Sequence, residues 1–69
     1  MVKLSHRTLR KRMVEHQLKQ EPFAESIGIS VRHLRNLCYK DTDVSVSLCY
    51  RISKQLDTSM EELLEISEE

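Results

Sequence analysis

Residues 20–38 constrain this chain more than any other stretch. Phe23, Ala24 and Ile27 fall three and four apart, the spacing of one buried face on a short helix, and Leu34, Leu37 and Cys38 repeat the pattern on a second. The chain's single glycine lies between them. Gly28 can take the positive φ that ends one helix, Ile29 can plug the corner, and the Ser30 hydroxyl can accept a backbone N–H bond at the start of the next helix. The spacing therefore predicts two short helices, Gln20–Ile27 and about Val31–Tyr39, fixed at a steep angle. The second presents Val31, Arg32, His33, Arg35 and Asn36 outward.

The flanking sequence supplies three more helices. Ser5 caps a first helix running to about Gln17, with Leu9 and Met13 on its buried side and Arg7, Arg10 and Lys11 mostly outside. Pro22 is tolerated in the first turn of the second helix, where the earliest N–H groups have no helical partner. Lys40 to Val44 is polar and reads as a loop. Ser45 caps a fourth helix whose stripe is Leu48, Cys49, Ile52 and Leu56, leaving Arg51, Lys54 and Gln55 to water. Ser59-Met60-Glu61-Glu62 has the form of a capping box and opens a fifth helix, from which Met60, Leu63 and Leu64 close the core. The tail Glu68-Glu69 is expected to fray. No β-alternation, internal repeat or low-complexity segment is present, so the expected class is all-α, a five-helix bundle in one domain spanning 1–69.

Sixty-nine residues leave room for one small core and no large pocket. No run of about 18 apolar residues spans a bilayer and no secretory leader opens the chain, which makes a cytoplasmic protein the expectation. The two cysteines, Cys38 and Cys49, sit in apolar stripes and read as buried thiols. Net charge is zero, but the charge is divided. Residues 1–40 carry nine bases against three acids, a balance of +6, and residues 41–69 carry two bases against eight acids, a balance of −6. A chain so divided can aim a positive face at a polyanion while its acidic end points away.

Taken in order, these residues resemble the lambda-repressor-like, Cro and Xre type, helix-turn-helix DNA-binding domain from about Leu9 to Leu64. The shared marks are Leu9-Arg10 in the first helix, Gln20 opening the second, Phe23-Ala24, the corner Ile27-Gly28-Ile29-Ser30, the cap Ser45, and Ser59 to Leu63. Three positions depart from the family's habit. Met13 and Cys38 stand where the family often pairs an Arg with a Glu, and replacing both partners by apolar groups avoids stranding a buried charge. Met13 is expected to pack on Cys38. Lys40 replaces a frequent Gly after the third helix and Val44 a frequent Pro before the fourth, so that connection must follow its own path.

The resemblance implies a double-stranded DNA operator as partner and a transcriptional regulator, a repressor of the Cro/Xre type, as the function. It places Val31, Arg32 and Asn36 at base-facing positions in the major groove, with His33 and Arg35 on or beside that face. Gln20 resembles the residue whose side chain, with backbone N–H groups at the helix start, grips a phosphate. Arg10, Lys19, Tyr39 and Lys40 are candidates for further backbone contacts. A domain this small reads only a few base pairs, so a homodimer on half-sites about 34 Å apart is expected. The C-terminal half, with Tyr50 or Ile66, is its candidate interface.

An enzyme is not expected. His6, His16 and His33 are scattered without metal-ligand spacing, no Gly-rich phosphate loop is present, and neither cofactor nor small-molecule ligand is implied. The rival reading is a protein-interaction module of the same fold, an antitoxin, anti-repressor or adaptor. Such a module has no need of a basic, polar recognition face, and Arg32, Arg35 and Asn36 on one helix favour DNA.

Overall fold

The structure, a computed structural model, describes residues 1–64. Its elements run β1 (Val2–Leu4), α1 (His6–Glu15), α2 (Gln20–Ile27), α3 (Val31–Tyr39), β2 (Thr42–Val44), α4 (Val46–Leu56) and α5 (Met60–Leu63). The five expected helices are all present, each capped as its sequence suggests where a serine precedes it. Ser5, Ser30, Ser45 and Ser59 accept from the backbone N–H of Thr8, His33, Leu48 and Glu62 at 3.4, 3.0, 3.1 and 3.2 Å.

The five-helix fold stands, and one connection differs from its reading. Residues 42–44, read as loop, form a strand that pairs antiparallel with residues 2–4, in the register Val2↔Val44, Lys3↔Asp43, Leu4↔Thr42. Three residues are too few to display an alternating pattern, and the partner lies some forty positions away, so neither strand announces itself locally. The pairing also accounts for Val44 in place of the more usual proline. Val44 is buried opposite Val2, and Leu4 of β1 is wholly enclosed.

Three helices end alike. Gln17, Gly28 and Asp57 take left-handed φ values of 54°, 80° and 51°. In each case the following N–H reaches back across the last turn: Leu18 to the Met13 carbonyl at 2.9 Å, Ile29 to Ala24 at 3.0 Å, Thr58 to Ser53 at 3.1 Å. This doubly bonded ending satisfies carbonyls that the helix itself leaves bare. It also shortens α1, which stops at Glu15 rather than near Gln17.

The helices enclose Leu9, Phe23, Ile27, Leu34, Leu37, Ile52, Leu56 and Leu63, with Met60 and Leu64 packed at the margin. Met13 and Cys38 are both buried, and the Cys38 thiol lies 3.9 Å from the Met13 sulfur, as the paired apolar replacement predicts. Burial pushes the Cys38 and Cys49 thiols above the usual cysteine range and keeps them protonated.

α5 is tied to the opposite end of the chain. The Ser5 N–H donates to the Leu63 carbonyl at 2.8 Å, and Arg12 binds Glu62 at 2.6 Å as well as Glu15 at 2.9 Å. Glu62 does not complete the capping box by returning to the Ser59 N–H. Its carboxylate is held by the Thr58 hydroxyl and by Arg12, which together keep it below the ordinary glutamate pKa.

Candidate nucleic-acid interface

The corner between α2 and α3 is built from backbone chemistry that its four residues dictate. Gly28 sits at φ 80°, ψ 31°, a conformation that costs an L side chain about 1–2 kcal/mol. Ile29 leans partly buried on the core, and Ser30, extended at φ −75° and ψ 158°, opens α3. α3 then buries Leu34, Leu37 and Cys38 and turns its other faces outward.

Arg32, His33, Arg35 and Asn36 are all exposed on α3. Val31 is only half-exposed and packs partly against the core, so it offers an edge rather than a whole side chain. Among the described residues no carboxylate lies within ion-pair distance of Arg32 or Arg35, whereas Arg12 is engaged by two. The two arginines of α3 are therefore available to an external anion.

The backbone-contact candidates divide into two groups. Gln20 at the start of α2 accepts from Arg35 Nε through its Oε1, at 3.4 Å. That bond orients the amide so that its NH2 group points away from Arg35, free to donate. Arg10 and Gln20, from different helices, line one shallow groove of about 170 Å³ with Met13, Val14, Leu18 and Cys38. Lys19 is exposed beside them at the helix start. Tyr39 and Lys40 stand apart, exposed at the far end of α3. Tyr50, the candidate dimer residue, is half-exposed on α4 next to Val46, and Ile66 lies outside the described residues.

Besides the Arg12–Glu62 pair, two contacts at or near this face escape the sequence reading. His6 joins Asp41 across 35 residues: its backbone N–H donates to Asp41 Oδ1 at 3.0 Å and its Nδ1 lies 2.5 Å from the same oxygen. The His6 N–H first, and its imidazole second, hold the Asp41 carboxyl below its usual range. Arg51, expected to face only water, donates from Nη1 to the Ile27 carbonyl at 3.4 Å. No local signal reveals either one, because both depend on where distant elements dock.

A glycine corner, a serine-capped α3 with its polar side outward and a supporting bundle define a helix-turn-helix protein. A helix-turn-helix family model of the Cro/C1 type matches residues 9–63, most of the chain, and the chain belongs to that family, whose members are DNA-binding regulators. Neither a curated protein nor a solved structure shows a significant match to it. Among the described residues no helix is long and apolar enough to cross a membrane.

Proposed function

We propose that this protein is a sequence-specific double-stranded DNA-binding transcriptional repressor that reads the major groove with α3. The observation that carries the reading is the outer side of α3, where Arg32, His33, Arg35 and Asn36 are exposed and the two arginines have no acidic partner among the described residues. Each base pair presents a distinct set of donors, acceptors and methyl groups in that groove. Arg32 reaches guanine O6 and N7, Asn36 pairs with adenine, and the exposed edge of Val31 meets a thymine methyl. Each bidentate contact discriminates by about 1–3 kcal/mol, enough to set one base preference.

Register comes from phosphates. The Gln20 NH2 group and the backbone N–H groups at the start of α2 meet one phosphate where the helix dipole is positive, with Arg10, Lys19 and Arg35 close by. Tyr39 and Lys40 hold the backbone at the other end of α3. A homodimer doubles the reading frame, each copy taking one half-site about 34 Å from the other.

Selection of bound duplexes from a random pool tests the reading. A single enriched motif, with affinity falling steeply as salt rises, is the expected result. Arg32→Ala should then relax preference at one base position, and Gln20→Ala should weaken all duplexes together. A pool that yields no motif, or binding indifferent to salt, would favour the protein-interaction module.

A further inference from the structure

Arg51 lies in the middle of α4, yet its guanidinium turns back to the α2–α3 corner. Two observations place it there. Its Nη1 donates to the Ile27 carbonyl at 3.4 Å, and the same Nη1 stands 3.4 Å from the point where a Cβ on Gly28 would sit. The Ala24 and Glu25 carbonyls are taken by the N–H groups of Ile29 and Gly28, while no backbone N–H in the corner reaches that of Ile27. The carbonyl is thus a bare acceptor at the negative end of a helix dipole, where a permanent cation is favoured. Among the described residues no carboxylate competes for Arg51.

We propose that Arg51 is the positioning residue of the recognition helix. By bonding the end of α2 and standing against Gly28, it ties the corner to α4 and fixes the angle at which α3 is presented. Its effect on binding rests on the DNA-binding reading; the clamp itself does not. The proposed phosphate contacts sit on α1, at the start of α2 and at the far end of α3, away from the corner. Loosening the corner therefore misaligns Arg32 and Asn36 while leaving general attraction to DNA in place.

The test uses the full chain with Arg51→Met, which keeps an unbranched apolar stem without charge, Arg51→Lys, and Lys54→Met as a control for charge loss on the same helix. Amide hydrogen exchange at Gly28 and Ile29 is measured alongside affinity for the selected duplex and for a scrambled one of equal length, over a salt series. Arg51→Met should speed exchange at both amides and lower affinity for the selected duplex by about three- to tenfold, with an unchanged salt slope and little effect on the scrambled duplex. Arg51→Lys should recover part of the loss, and Lys54→Met should leave every quantity near its original value. Unchanged exchange overturns the proposal. So does an equal loss on both duplexes with the salt slope reduced by about one, which would make Arg51 a phosphate ligand. A parent protein that binds no duplex refutes the DNA-binding reading alone, and the exchange comparison then decides the clamp.

Discussion

The two ends of α3 are made by opposite means. At its start, Gly28, Ile29 and Ser30 turn the chain through hydrogen bonds that span at most five residues, such as Ile29 to Ala24 and His33 to Ser30. At its finish no left-handed residue intervenes. Lys40 is extended at φ −154° and ψ 162°, and the chain passes directly into β2, whose partner is the N-terminal strand. The first end turns the chain by local chemistry, which the long-range contact of Arg51 braces. The second stops the helix by recruiting residues from the other extremity of the chain, with Asp41 fastened to His6 on the way. The bonds within the corner form without a distant strand, and Arg51 of α4 adds one contact to them, whereas the far end fails if either of two distant segments fails.

The largest test of that contrast is at the far end. Leu4 has no exposed surface, so Leu4→Ala should cost about 2–5 kcal/mol in urea unfolding, as large-to-small changes in packed cores do. Because β1 and β2 stand or fall together, amide exchange should rise in residues 42–44 as well as 2–4. Protection of β2 that survives the change would show that the far end does not need the N-terminus.

At the near end the expected cost is smaller. Gly28→Ala places a methyl at ordinary contact distance from Arg51, 3.4 Å, so sterics contribute little. The left-handed backbone alone should remove about 1–2 kcal/mol. Calorimetry of the variant checks this, and the protection of β1 and β2 relative to global unfolding should not alter. A loss several times larger would mean that the corner carries more than backbone strain.

The smallest effect concerns Asp41 and is visible only in acid. Its carboxyl titrates below the usual aspartate value in the folded protein, so the contribution of its bonds to His6 is fully present above the unfolded value of about 3.9 and is lost as pH falls through the folded one. Urea midpoints measured from neutral pH into this range should fall on acidification. Asp41→Asn should lower the midpoint at neutral pH and flatten its acid dependence. An identical acid slope in both proteins would remove Asp41 from the account.

Legibility follows the same division. The corner, the four serine caps, the apolar faces of five helices and the Met13–Cys38 contact are all readable because each depends on spacing within one helix, one turn or a matched pair of replacements. The outward set Arg32, His33, Arg35 and Asn36 is readable for that reason too, since burial of Leu34, Leu37 and Cys38 fixes the remaining faces. The spacing turns Val31 outward, and the structure half-covers it, because its neighbours come from the packing of α3 on the core. The capping box fails at Glu62 because the Thr58 hydroxyl and Arg12, fifty positions away, hold the carboxylate.

By itself, then, the sequence determined five helices, their caps, a glycine corner and the polar side that α3 turns outward, because hydrophobic spacing and turn chemistry act over a few residues. Tertiary structure alone decided the β1–β2 pairing, the His6–Asp41 and Arg12–Glu62 links, the common groove of Arg10 and Gln20, and the reach of Arg51 to the corner. Each of those joins groups far apart along the chain, and such groups meet only after burial of the shared apolar core has fixed where their elements lie.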